Sequence, residues 1–138
     1  MAGRLSPEGV GGTLVRLRQL GIEALEFRAK LGACLECQKR TGNVFGTQAR
    51  FPREFVRIEG RATQWRRLGD SGEGATFNFC PVCASTVYWE PTGAPGFVTV
   101  AVGAFADPSF PPPRVSIYEE RQHQWALAAG QLPLEHDF

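Results

Sequence analysis

Four cysteines in two C-x-x-C pairs constrain this chain more than any other feature of its sequence. The pairs are Cys34 with Cys37 and Cys80 with Cys83. A C-x-x-C turn lets two thiolates reach one metal ion, and zinc then takes two further ligands to complete a tetrahedron. The pattern favours metal binding by at least one pair, ahead of buried thiols that act as small hydrophobes and ahead of a reactive redox dithiol.

The spacing of the pairs bears on how they combine. The simplest arrangement joins all four cysteines into one zinc site, although the interval from Cys37 to Cys80 is longer than zinc ribbons usually have. The redox interpretation would need a C-x-x-C at the start of a helix within a βαβ pattern, and the sequence does not show that pattern.

Composition excludes several classes of protein. A length of 138 residues, with 43% hydrophobic and 21% charged residues, suits one domain with one core. A formal net charge of +1 gives no reason to expect a nucleic-acid partner. No apolar run is long enough to span a bilayer, and no secretory signal is recognisable, so the expected compartment is the cytoplasm.

Short runs of β-forming residues between glycine and proline turns predict a mainly β fold. The segment 103–113 contains three consecutive prolines and is predicted to be an extended surface loop. Apolar residues at helical spacing over 13–30 indicate either a short amphipathic helix or a poorly specified segment, and a second short helix is predicted over 119–129. The predicted strands are 55–59, 63–68, 76–79, 86–89, 97–102 and 115–118.

Several further motifs follow the cysteines in a fixed order. They are 34–42 (CLECQKRTG) followed by Phe45-Gly46, then 79–83 (FCPVC), 86–89 (TVYW), 103–108 (GAFADP), and 116–121 (SIYEER) with Trp125. On these motifs the chain resembles the glutathione-dependent formaldehyde-activating enzyme family, which also includes the centromere protein V domain. The resemblance runs from about residue 31 to about residue 126.

The resemblance implies an Mss4-like β fold with two separate zinc sites. Family members hold a structural zinc with an early C-x-C and a late C-x-x-C, and a second zinc with a C-x-C-x-x-C triplet at the glutathione site. Carried over, Cys80 and Cys83 match half of the structural site, and Cys34 and Cys37 match the last two cysteines of the triplet. We prefer this placement to the shared site because it explains the sequence around both pairs.

The chain departs from the family pattern in three places. Gly32 stands where the triplet has its first cysteine, and Ala33 follows where a histidine is common. Residues 1–30 contain no cysteine, so the early C-x-C is missing, and Ala84 replaces the usual glycine after the last cysteine. The change near residue 31 suggests an altered start, such as a frameshift or a fused leader. The predicted domains are a divergent segment 1–30, a zinc domain 31–130 and a tail 131–138.

The function that the resemblance implies is a zinc-dependent carbon–sulfur lyase acting on glutathione or small-thiol adducts of aldehydes. Zn2+ would be the cofactor, glutathione a co-substrate, and Cys34 and Cys37 both metal ligands and catalytic residues. The alternative is a non-catalytic zinc-binding or degenerate module on the same fold, which the missing ligands favour.

Other polar and aromatic residues complete the predictions. Arg40, Thr41 and Gly42 follow the first pair and are candidates for binding a glutathione carboxylate, but we favour an Arg40 solvated on a surface turn. His123 is expected to be a surface residue beside a packing tryptophan, and His136 to lie in a disordered tail. All three tryptophans are predicted to lie in the core: Trp65, Trp89 and Trp125.

Overall fold

A computed structural model describes residues 14–17, 28–69, 72–113 and 115–126. Within these residues the chain forms one α-helix, α1 (Leu35–Thr41), and nine strands. The strands are β1 (Leu14–Leu17), β2 (Arg28–Gly32), β3 (Gly46–Pro52), β4 (Val56–Glu59), β5 (Thr63–Leu68), β6 (Gly74–Phe79), β7 (Thr86–Pro91), β8 (Phe97–Ala101) and β9 (Val115–Ile117). The prediction of a mainly β fold with short helices is confirmed.

Seven of the strands form one sheet in the order β5-β6-β7-β8-β3-β2-β9. Every neighbouring pair is antiparallel except β2 with β9, which is parallel. β1 and β4 form a separate antiparallel pair. β3 and β8 lie near the middle of the large sheet, so the residues that flank them come from distant parts of the chain.

The core lies against the central strands. On β3, Ala49 and Phe51 are buried, as are Val98 and Val100 on β8. The proline-rich segment adds to this core, because Phe105 is buried and packs edge-on against Phe51 at a ring-centroid distance of 6.5 Å. The prediction of a purely surface loop over 103–113 is therefore wrong at its phenylalanines.

Neither of the two predicted helices is present as predicted. Residues 14–17 and 28–32 are strands, and 18–27 lie outside the described residues, so no helix covers 13–30. Pairing of these strands with β3, β4 and β9 satisfies their backbone groups and outweighs a weak helical periodicity. Within 119–126 the structure has a single 3-10 turn, Glu119–Arg121, in place of a helix.

All six predicted strands are present, with ends shifted by at most two residues, but β1, β2 and β3 have no counterpart among them. Gly60 ends β4 with a positive φ of 90°, as the turn prediction requires. No helix among the described residues is both long and apolar enough to cross a membrane.

Candidate functional site

A cavity of about 950 Å³ opens between α1, β3 and the turn that leads into β7. Cys34 and Cys37 line it from the start of α1, and Gly32 lines it from the end of β2. Gln48 and Arg50 line it from β3, on which the alternate residues Ala49 and Phe51 enter the core. Over residues 48–51 the period-two pattern of β3 thus places one face against the core while the other contributes to the cavity.

The first cysteine pair begins α1 and is joined as a disulfide. Cys34 is the N-cap residue, and the backbone N–H of Cys37 donates to its Sγ at 3.1 Å. Both side chains are partly buried. The sequence did not indicate a helix here, although the N-cap position suits a side chain that can accept a hydrogen bond from the first turn.

Arg40 is held inside the site rather than solvated on a turn, so the favoured alternative for this residue is wrong. Its guanidinium carbon lies 4.6 Å from the ring centroid of Phe77 and 4.9 Å from that of Trp89. Its Nη1 donates to Thr86 Oγ1 at 3.0 Å. Burial, with a smaller contribution from the charge of Arg67, lowers the pKa of this guanidinium. These contacts fix the cation beside the cysteine pair.

The other two predicted ligand-binding residues differ from Arg40. Thr41 lines the cavity, but its hydroxyl donates to the carbonyl oxygen of Cys37 at 2.8 Å. Gly42 ends α1 in the left-handed conformation, with φ of 69°, and its N–H donates to the carbonyl oxygen of Gln38. Gly42 therefore stops the helix, and its amide is already used there.

The charge of the cavity was not apparent from the sequence. Arg40, Arg50 and Arg67 all line it, and no aspartate or glutamate is among its described lining residues. These arginines come from α1, β3 and β5, so only the fold brings them together. The nearby carboxylate of Glu36 instead pairs with Lys39 Nζ at 2.9 Å, and that hydrogen bond lowers its pKa.

The second cysteine pair occupies the turn after β6. Cys80 is buried, and Cys83 is exposed, with its Sγ donating to Ser85 Oγ at 3.2 Å. Neither lines the cavity that contains Cys34 and Cys37. The described residues bring no group of three His, Cys, Asp or Glu side chains together, so a shared four-cysteine site is not formed.

Zinc therefore does not fit the donor set at either pair as it stands. Structural zinc normally has four protein ligands and catalytic zinc three, whereas each pair offers two sulfurs. At the first pair the two sulfurs are also bonded to each other, and zinc needs deprotonated thiolates.

The turn of the second pair explains the glycine that is usual in the family at position 84. Ala84 has a positive φ of 61°, and its N–H donates to the Cys80 carbonyl oxygen at 2.8 Å. This conformation costs an L-residue roughly 1 kcal/mol.

We expect Ala84→Gly to raise the free energy of unfolding by about that amount, measured by urea titration. Ala94→Gly, at a turn residue whose φ is not positive, should instead lower it; equal effects would contradict the strain.

The remaining predicted residues lie outside the cavity. His123 is exposed, 3.1 Å from Gln38 Oε1 through its Nε2, and its ring lies edge-on to Trp125, as the surface prediction has it. His136 lies outside the described residues. Trp89 is buried, but Trp65 and Trp125 are 46% and 53% exposed, so the core prediction is wrong for these two.

Comparison with known proteins places these features in one family. A family model described as glutathione-dependent formaldehyde-activating enzyme matches residues 19–121, which is most of the chain. The search of curated proteins returned no match.

Proposed function

Because the chain belongs to the glutathione-dependent formaldehyde-activating enzyme family, we propose that it makes or breaks carbon–sulfur bonds in adducts of aldehydes with small thiols. Glutathione is the first candidate thiol, and the cavity beside Cys34 and Cys37 is the proposed place of reaction. The cytoplasm is the proposed compartment, as the sequence predicts.

The observation that carries this proposal is the unbalanced positive charge of the cavity. Among the residues that the structure describes, no carboxylate lines the cavity beside its three arginines, and Glu36, whose carboxylate interacts electrostatically with Arg67, is hydrogen-bonded to Lys39. The Thr86 hydroxyl and the rings of Phe77 and Trp89 that hold Arg40 are neutral partners. A glutathione molecule carries two carboxylates, and arginine binds a carboxylate through two parallel hydrogen bonds. An anionic thiol would therefore supply the charge that the cavity lacks.

Positioning is the main contribution that the cavity residues would make to the reaction. In the proposed forward step the thiol sulfur attacks the aldehyde carbon, a carbon–sulfur bond forms, and the thiol proton moves to the carbonyl oxygen. Arginines that hold the carboxylates would fix the thiol against the aldehyde, which removes part of the entropic barrier. In the reduced state Cys34 or Cys37, the proposed catalytic residues, would relay the proton.

Zinc dependence remains a prediction based on the resemblance, with Cys34, Cys37, Cys80 and Cys83 as the proposed ligands. Each pair offers two donors, which is fewer than zinc normally takes in proteins. The proposed reaction step therefore relies only on side chains of this protein and assigns no role to a bound metal. The same shortage of donors favours a second candidate function, a module on this fold that binds a small thiol without catalysis.

Arg40→Gln tests the proposal most directly. We expect it to raise the KM for glutathione roughly 10- to 100-fold, because a charged hydrogen bond contributes about 1.5–3 kcal/mol. Turnover of the uncharged thiol 2-mercaptoethanol with formaldehyde should change little. Both rates can be measured by NMR exchange between the aldehyde and its thiol adduct.

The matched control is Lys39→Gln on the same helix, since Lys39 is exposed and does not line the cavity. A loss of turnover that is equal for both thiols would contradict recognition of the carboxylates by Arg40. A parent protein that binds glutathione by calorimetry but does not speed adduct exchange would establish the binding module instead.

A further inference from the structure

β5 is the outermost strand of the large sheet, with β6 on one side and no other described strand on the other. Five of its six residues are exposed. Proteins commonly protect such an edge with proline, a bulge or charged side chains. β5 contains no proline, and its register with β6 runs without a bulge, so only the charges of Arg66 and Arg67 remain. The free side of β5 can therefore pair with a further strand.

The backbone groups on the free side of β5 belong to alternate residues. The N–H of Gly69 donates to the carbonyl oxygen of Glu73, one step beyond the last residue pair of the ladder with β6. Hydrogen-bonded and non-hydrogen-bonded pairs alternate along an antiparallel ladder. Counting back from Gly69, the N–H and C=O groups that point away from β6 are those of Gln64, Arg66 and Leu68.

A row of aromatic side chains reaches this edge. Trp65 is half exposed, and its ring stacks on that of Phe77, with 5.7 Å between the ring centroids. Phe77 in turn contacts Trp89, with ring centroids 5.4 Å apart, so the row crosses β5, β6 and β7. Because β5 is the last described strand on this side, the row ends at Trp65 with part of the indole in solvent.

We propose that β5 pairs with β5 of a second copy of this chain, antiparallel and about a two-fold axis perpendicular to the sheet, with Trp65 opposite Trp65 of the partner subunit. The inference goes beyond the proposed function, because the pairing involves neither a thiol nor an aldehyde.

Charge selects this register. An axis centred on Arg66 would place two arginines directly opposite each other, and like charges in that position are unfavourable. An axis centred on Trp65 instead places Gln64 opposite the partner's Arg66, and Thr63 opposite the partner's Arg67. Gln64 and Arg66 both point their backbone groups to the free side, so each such pair exchanges two hydrogen bonds.

The same register joins the two aromatic rows. The Trp65 pair lies between the hydrogen-bonded pairs, where opposite Cα atoms are only about 4.5 Å apart and side chains are closest. Aromatic pairs in this position stabilise strand pairing. One strand pair buries less than the roughly 1,200–2,000 Å² of a stable complex, so we expect a weak dimer with a dissociation constant on the order of 10–100 µM.

The test measures the dissociation constant of the full chain by sedimentation velocity, with reductant present because Cys83 is exposed. Thr63 is exposed, and Thr63→Glu sets a carboxylate against the partner's Arg67 twice in each dimer. It should lower the dissociation constant about fivefold, and Thr63→Arg should raise it by a similar factor. The matched control is Gln124→Glu, which adds the same charge at an exposed residue outside the sheet and should leave the dissociation constant unchanged.

A backbone variant tests the hydrogen bonds separately. Arg66→Pro removes an N–H that points away from β6, a position at which an edge strand accepts proline. It should raise the dissociation constant at least about tenfold, whereas Arg66→Ala, which keeps the N–H, should not. Circular dichroism checks that both variants are folded.

Two results would overturn the proposal. The first is a chain that stays monomeric up to about 1 mM, which would leave the edge to a strand of a different protein. The second is a dimer on which Thr63→Glu and Thr63→Arg have the same effect, since the partner's Arg67 would then not lie opposite position 63. Adduct turnover is measured separately, so its absence in a dimeric chain counts against the proposed function alone.

Discussion

Gly32→Cys is expected to convert a chain that retains little zinc into one that holds about one zinc ion at the first cysteine pair, because three thiolates meet the usual number of protein ligands at a catalytic site. Zinc binding to a four-ligand site contributes about 10–16 kcal/mol, so one added thiolate should raise affinity on the order of 100-fold. Position 32 is the one that the family resemblance assigns to the missing cysteine of the triplet.

The structure has room for this side chain. Gly32 ends β2 and lines the same cavity as Cys34 and Cys37. A Cβ built there would lie 3.5 Å from Ile117 Cγ1 and 3.7 Å from its Cδ1, which are ordinary van der Waals distances, and the φ of Gly32 is not positive. The substitution should therefore leave the fold intact while adding a sulfur on the side of the cavity.

The measurement is zinc per chain by elemental analysis of reduced, dialysed protein, with affinity from competition against a chelator. Gly32→Ser is the matched control, since it adds a side chain of similar size without a soft donor and should gain no zinc. The double variant Gly32→Cys with Cys37→Ser should lose the gain. A Gly32→Cys protein whose zinc content equals that of the parent would show that the three positions do not converge on one ion.

Most of the strands that the sequence predicted share two properties: they are rich in β-branched or aromatic residues, and they stop at or next to a glycine or proline. β7 is the clearest case, running through Val87, Tyr88 and Trp89 to Pro91. β3 ends at Pro52 but lacks the composition, since it contains one β-branched residue, Thr47, and one aromatic residue, Phe51. Its strand character comes from pairing with β2 on one side and β8 on the other, and such long-range pairing leaves no local pattern.

The candidate site likewise combines features that a local sequence pattern reveals with features that only long-range pairing creates. The C-x-x-C pairs could be found by spacing alone, because both donors of a pair come from one turn. The cationic lining could not, because Arg50 and Arg67 reach the cavity only through the register of the sheet. Arg66 and Arg67 are adjacent in the sequence, and nothing local distinguishes them, whereas only Arg67 lines this cavity.

Phe51→Ala is expected to lower the free energy of unfolding by about 3–5 kcal/mol, the usual cost of removing a buried phenylalanine side chain. Phe51 is fully buried on β3, its strand pairs with β8 at Val98, and its ring packs against Phe105, which in turn stacks on Phe110 at 5.0 Å. Removing the ring leaves a cavity at a junction of the central sheet and the proline-rich segment.

The matched control is Phe97→Ala on β8, because Phe97 pairs with Pro52, next to Phe51 in the same register, but is 41% exposed. It should cost less than about 1 kcal/mol. Urea unfolding followed by tryptophan fluorescence measures both variants, and equal losses would contradict the burial of Phe51. Because a domain of this kind is stable by only about 5–15 kcal/mol, the larger loss takes up a substantial part of the total. The neighbouring Arg50 lines the cavity from the same strand, so loosening β3 should also weaken binding of anionic thiols there.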